Sequence, residues 1–326
     1  MLVSQMARIG LVLGGGGITG AAYELAALMA MELACDWDAN DSEVVVGTSG
    51  GSYVTAMVRS GALGLDSLVR DGEEPEDVAD RIRRHVFVRE SGVRVARWLR
   101  RGVLPGLRRP GVTMLMGSPA RFDPGGLASW VVEQVGEPAH AWPLRPTVIV
   151  AYDLDAHERV AFGTEAAPDV SLADAVAASS AIPLVFNPHE INGRAYVDGG
   201  VASGTHLDLI LGADKPLDLV IVLAPMAALE GRRGAWFHEN LLDNVGCRSL
   251  DEELRLVRSA WPDTEILVLR PSPPVLSAMR PNPMAAEAAV PTFIRTLSSM
   301  KRKLAQPEVW EVLDHHLRRR RLRAAR

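Results

Sequence analysis

Residues 8–60 run through strand, glycine turn and helix twice in succession, and this order constrains the fold more than any other feature of the chain. The run Arg8-Ile-Gly-Leu-Val-Leu13 is short, apolar and bounded by glycines, which reads as a buried strand. Gly14 to Gly20 is a turn, and Ala21 to Cys35 is rich in the helix formers Ala, Leu, Met and Glu. Glu43-Val-Val-Val46 is a second, β-branched strand, a second glycine turn follows, and Ser52 to Ser60 reads as helix. Such alternation predicts an α/β fold, with a mostly parallel sheet covered by helices. Pro146 to Tyr152, Leu217 to Leu223 and Glu265 to Leu269 supply further strands, and Leu172 to Ser180 supplies another helix. Arg194-Ala-Tyr-Val197 is a short strand that runs into Asp198-Gly199-Gly200.

Composition narrows the function classes. The chain has 326 residues, 48% hydrophobic and 23% charged, which is ample for a large core and excludes wholesale disorder. A net charge of −5 argues against a nucleic-acid partner. That figure averages an uneven distribution. Residues 81–109 carry +9 and the tail 318–326 carries +6, leaving −20 for the rest. Within the first basic run, Arg94, Arg97, Arg100 and Arg101 share one helical arc, and Val95, Trp98 and Leu99 the opposite one. This is the pattern of an amphipathic helix that meets an anionic membrane surface or forms a lid. Prolines and glycines over residues 102–126 predict an irregular connection.

No run of about 20 apolar residues is present, and the amino terminus lacks a basic start followed by an apolar stretch. With only Cys35 and Cys247, a reducing compartment is the simpler expectation. The chain is therefore expected in the cytoplasm, with any lipid contact peripheral, at the inner membrane face. No Cys/His cluster has ligand spacing, so neither a metal nor an organic cofactor is expected.

Gly47-Thr48-Ser49-Gly50-Gly51 fits G-x-S-x-G and lies directly after a strand and before a helix, as a nucleophile elbow requires. The sharp turn exposes the serine oxygen, and the helix behind it directs free N–H groups at the same point. The glycine loop Gly14 to Gly20 admits two readings. Gly15, Gly17 and Gly20 fit the dinucleotide pattern G-x-G-x-x-G, but that site also needs an acid at the end of the second strand. Here the second strand ends in Gly47-Thr48-Ser49, and Asp36, Asp38 and Asp41 precede it. The other reading is an oxyanion hole of bare amides. A serine nucleophile needs a base, and Asp198, at a strand end opening a glycine turn, is the candidate.

Taken in order, Gly15-Gly-Gly-Ile-Thr-Gly20, Gly47-Thr-Ser-Gly-Gly51 and Asp198-Gly-Gly200 resemble the motifs of the patatin-like phospholipases. Ala178-Ser-Ser-Ala-Ile-Pro-Leu-Val-Phe-Asn-Pro188 and Ile191-Asn-Gly-Arg-Ala-Tyr196 are similar to that family's segment before its aspartate. The resemblance spans roughly residues 8–225, with 64–143 as a variable cap insertion. It implies a three-layer α/β/α fold, one domain over 1–317 followed by the basic tail, and hydrolysis of lipid acyl esters by a Ser–Asp dyad. Carried over, Ser49 is the nucleophile, Asp198 the base, and Gly15, Gly16, Gly17 and Gly50 the oxyanion donors. Gly20, Gly47, Gly51, Gly199 and Gly200 are the motif glycines. Arg94, Arg97, Trp98, Leu99 and Arg101 would form the lid or membrane contact.

The chain departs from the family in two places. Thr19 stands where the family carries a basic residue, and Val201-Ala-Ser-Gly-Thr-His206 lacks its Asn and Pro. Two rival readings follow: a Ser–His–Asp esterase using His206 or His238, and an inactive binding protein with Thr19 as its first lesion.

Overall fold

The structure is a computed structural model that describes residues 7–64, 66, 68–89, 120–229 and 237–317, with backbone alone for 237–245. Two strand–helix pairs open it: β1 (Ile9–Leu13) and α1 (Gly17–Cys35), then β2 (Val44–Thr48) and α2 (Gly50–Arg59). The inserted region contributes α3 (Pro75–Val86) and α4 (Gly125–Val135). There follow β3 (Thr147–Asp153), β4 (Glu158–Phe162), α5 (Leu172–Ser179), β5 (His189–Ile191), β6 (Arg194–Asp198) and β7 (Leu219–Leu223). The chain continues through α6 (Phe237–Ala260), β8 (Glu265–Leu269), α7 (Pro273–Ala278), α8 (Ala289–Leu304) and α9 (Pro307–Leu317).

One eight-stranded sheet organises these elements. β3, β2, β1, β7 and β8 lie side by side and pair in parallel. β4 and β6 pair antiparallel with β3, and β5 with β6. β1, β2 and β7 are buried along their whole length, which is why their sequences read as continuous apolar runs without alternation.

The two faces carry different cores. Leu11, Leu13, Val45, Ile221 and Leu223 pack against α1, α8 and α9. Val12, Val46, Val148, Val150 and Val222 face α6 and the 3₁₀ turn Leu207–Gly212. Each fully buried Leu, Ile or Val contributes about 1.5–3 kcal/mol of burial free energy, so both faces of these strands need helical cover. The result is the three-layer α/β/α arrangement expected from the sequence. Among the described helices, α1 alone is long and apolar enough to cross a membrane by length and composition; here it is a largely buried core helix packed on α8.

Several elements start or stop where bare backbone lets them. α1 begins at Gly17, ahead of the Ala21 expected from helix-forming composition, because the glycines there take up the first turn. α2 likewise begins at Gly50 rather than Ser52. The connection expected over 102–126 is described only from residue 120, and its last residues already belong to α4. Arg94, Arg97, Trp98, Leu99 and Arg101, and the tail 318–326, lie outside the described residues.

Candidate active site

The pairing of β3 decides what meets at the end of β2. Its residues 149 and 150 pair with both β2 and β4, so these two strands occupy opposite edges of β3. Residues 151–153 pair with both β4 and β6, which places β6 on the same edge as β2. β2 and β6 therefore approach head to head along one edge. Thr48 stands opposite Val150, and Asp198 stands opposite the next residue, Ala151. The residue leaving β2 is Ser49. The sheet register thus brings together a serine and an aspartate that lie 149 positions apart in sequence, close enough for the Ser49 side chain to lower the pKa of the Asp198 carboxyl group.

Ser49 has φ 53° and ψ −124°, a region that side chains rarely adopt. The surroundings hold it there. Its amide donates to Ser179 Oγ at 2.9 Å, and Ser179 Oγ donates in turn to Val150 O at 2.6 Å. Its carbonyl accepts from Ser52 Oγ at 2.6 Å and from Ser180 Oγ at 3.1 Å. A strained backbone fixed from both sides is a mark of functional sites. Ser179 and Ser180 were legible only as part of the family's lead-in; nothing in their spacing assigns them to the elbow.

Asp198 is 4% exposed. Burial raises its pKa from 3.8 to about 6, against the opposing pull of hydrogen bonds from Ser49 and from the Gly200 amide. The Gly200 N–H donates to Oδ1 at 2.7 Å. The carboxyl group is thus poised to change protonation near neutral pH beside the elbow serine.

Two helix N-termini converge on the same spot. An added Cβ at Gly50 would lie 2.4 Å from Gly17 O, so the start of α2 touches the start of α1. The first amides of a helix have no partner inside it, and the helix dipole adds positive potential there. In α1 the Thr19 amide donates to Pro283 O and the Gly20 amide to Gly16 O, while Gly17 and Ile18 line the cleft beside Ser49 and Gly50. One expected donor is corrected. The Gly15 amide donates to Gly204 O at 2.7 Å, so this N–H is engaged in holding the glycine loop and is not available to an oxyanion. Ile18, which composition did not single out, stands at the cleft. Thr19 is buried and is not part of the cleft lining.

The cleft is almost wholly apolar. Ser49, Gly50, Gly17 and Ile18 form one end. Ala21, Ala22 and Leu25 extend it along α1, and Ile82, Val86, Leu127 and Trp130 of α3 and α4 face them. The polar atoms of this wall satisfy one another: Trp130 Nε1 donates to the Tyr53 hydroxyl at 3.2 Å. The described ends of the cap insertion are therefore the wall of the cleft.

Of the two histidines the sequence suggested, only His206 has a described side chain, and it is engaged away from Ser49. His206 is fully buried, and its Nδ1 meets Thr48 Oγ1 at 3.1 Å. Thr48 shares its sheet face with Val46, on the α6 side, and His206 lies with it there. The side chain of His238 falls outside the described ones. Among the described residues, no group of three or more His, Cys, Asp and Glu side chains could hold a metal ion.

The profile of the family described as patatin-like phospholipase matches residues 11–211. Among solved structures, the chain is similar to VipD from Legionella pneumophila, at 13% identity and a TM-score of 0.41, covering 96% of this chain and 67% of that one. It is also similar to human GIVD cytosolic phospholipase A2, solved in complex with methyl gamma-linolenyl fluorophosphonate, at 14% identity and a TM-score of 0.36. There the match covers 97% of this chain and 60% of the human one. No curated protein matches the chain.

Proposed function

The chain belongs to the patatin-like phospholipase family, hence to the lipid acyl hydrolases at family level, and from that premise we propose that it cleaves acyl esters through Ser49 and Asp198. The observation that carries the reading is a strained elbow serine brought by the sheet register beside a buried carboxyl group, with the serine in the lining of an apolar cleft. Ser49 Oγ attacks the ester carbonyl carbon, and its proton passes to Asp198. Charge developing on the carbonyl oxygen is met by the amides of Gly16, Gly17 and Gly50, where two helix N-termini converge. Collapse expels the alcohol, which takes the proton from Asp198 and leaves an acyl group on Ser49. A water molecule, deprotonated by Asp198, then attacks that acyl carbonyl. The carboxylic acid departs and the proton returns to Ser49. Phospholipids and lysophospholipids are the substrates proposed.

A fluorophosphonate probe tests the assignment. Wild-type protein is expected to gain one covalent adduct, mapped by mass spectrometry to the peptide containing Ser49, in parallel with hydrolysis of a phospholipid panel. Folded protein that stays unmodified, or an adduct on another serine, overturns it.

The cleft supplies a second expected result. From Gly17 to Leu25 it follows α1 for eight residues, roughly 12 Å at 1.5 Å per residue, enough for the carbonyl-proximal part of an extended acyl chain. Ala22→Phe would fill that space midway. It is expected to lower kcat/KM for a long-chain nitrophenyl ester about tenfold while leaving the butyrate ester within about twofold. Equal losses on both esters would place the acyl chain elsewhere.

A further inference from the structure

We infer that Glu253 is a positioning residue that sets the nucleophile, the base and the glycine loop from the opposite face of the sheet, by clasping the loop Ser203–Leu207. The inference rests on the Ser49–Asp198 reading of the site. Glu253 stands on α6 among residues that pack on the α6 side of the sheet, with its neighbours Leu250, Leu254 and Val257 in that core. It is 9% exposed, and its carboxylate is saturated by one short stretch of chain. Ser203 Oγ donates to Oε1 at 2.5 Å. Thr205 Oγ1 and the Leu207 amide donate to Oε2 at 2.6 and 2.8 Å. Three donors from five consecutive residues converge on one buried carboxyl group, so the loop is folded around it.

The other side of this loop reaches every part of the site. Gly204 O receives the Gly15 amide at 2.7 Å, which fixes the glycine loop. His206, held at φ 51°, bonds Thr48 Oγ1 at 3.1 Å, and Thr48 is the residue before the nucleophile. The Thr48 methyl group lies 3.3 Å from the position a Cβ on Gly199 would take, and Gly199 follows Asp198. A single loop thereby bonds the glycine loop after β1 and the last residue of β2, and its Ser203 amide donates to Gly199 O at 3.3 Å in the turn after the base. Asp208, just beyond it, pairs with Arg159 at 2.9 Å and anchors the far side. Glu253 touches none of the reacting groups, so its effect is on their placement. A misplacement of about 1 Å at a reacting centre is enough to cost about 10²-fold in rate.

The test compares Glu253→Leu, which keeps volume but removes both acceptors, with Glu253→Gln. The amide of Gln can accept from Thr205 and Leu207 and donate to Ser203, so it should restore the clasp. Two readouts are needed in the full-length chain: amide hydrogen exchange over residues 14–17, and kinetics on a soluble nitrophenyl ester beside the rate of fluorophosphonate labelling. Glu253→Leu is expected to speed exchange at Gly15 at least about tenfold, and to lower kcat and labelling about 10–100-fold with KM within about twofold. Glu253→Gln is expected to recover kcat to within about threefold of wild type.

Unchanged Gly15 exchange in a folded Glu253→Leu protein overturns the inference. So does a Glu253→Gln variant as impaired as Glu253→Leu. Should Glu253→Leu fail to fold, Thr205→Val against Thr205→Ser decides it, the serine restoring the bond and the valine not. Wild type that labels no better than Ser49→Ala would overturn the hydrolase reading instead, and the exchange data still decide the clasp.

Discussion

Asp198→Asn is expected to lower kcat by about 10²–10⁴-fold and, in the same protein, to raise stability at pH 8. The loss follows from the base. Asparagine keeps the shape of the carboxyl group and an acceptor for the Gly200 amide, but it cannot take the Ser49 proton. The gain follows from burial. The folded pKa of about 6 lies above the ordinary value of 3.8, so the folded state favours the neutral form. The stability contributed by that neutral carboxyl is fully present below about pH 4 and is lost as pH rises through about 6. Two pKa steps at 1.36 kcal/mol each give about 3 kcal/mol at pH 8 that an uncharged isostere does not lose. The stability difference between variant and wild type should therefore shrink as pH falls from 7 to 4, measured by denaturant titration at each pH. Wild-type kcat/KM should fall over the same range, with its midpoint near pH 6, because the protonated carboxyl is no longer a base. An Asp198→Asn protein that is inactive but no more stable at pH 8 would place the carboxyl in a more polar site than the structure gives it. One that keeps most of its activity would remove Asp198 from the chemistry.

The parts of this site that sequence discloses are those carried by local backbone chemistry. A G-x-S-x-G after a β-branched run cannot do much other than turn sharply, and β2, Ser49 and α2 follow from it. The edges of the helices are less legible, because glycine composition argues against helix while the structure uses Gly17 and Gly50 as first helical residues. β4 was not foreseen: Glu158-Arg-Val-Ala-Phe162 is a half-exposed strand whose existence depends on pairing with β3. The same holds for three-residue β5. Gly15 shows the limit most directly. A bare amide in a glycine loop has the right chemistry for an oxyanion donor, and only the distance to Gly204 O, a residue 189 positions away, reassigns it. Glu253 gave no signal at all, since an acid on an amphipathic helix is ordinary and its three partners lie 46–50 residues earlier.

Gly51→Ala is expected to be the most damaging single methyl group in the elbow. The alanine Cβ would lie 2.2 Å from Leu13 O, 2.5 Å from Leu13 C and 2.8 Å from Gly14 O, all of them backbone atoms at the end of the central strand. No rotamer relieves such a contact, so α2 must move away from β1. Overpacking of this kind costs about 3 kcal/mol or more. For a chain of this size the melting temperature should drop by roughly 5–10 °C. The displacement also carries function with it. Gly50 is packed so tightly on Gly17 that the starts of α1 and α2 form one surface, and a shift of α2 separates the two sets of amides at which the oxyanion is proposed to sit. Labelling of Ser49 should therefore fall more than the population of folded protein does, a distinction that native-state labelling beside a thermal melt resolves. Gly64→Ala is the matched control: among the described residues nothing lies within 4 Å of its added Cβ, and it should leave both quantities within experimental scatter. If Gly51→Ala melts and labels as wild type does, the close approach of α2 to the end of β1 is not what holds the elbow, and the strain at Ser49 must be borne by its hydrogen bonds with Ser52, Ser179 and Ser180.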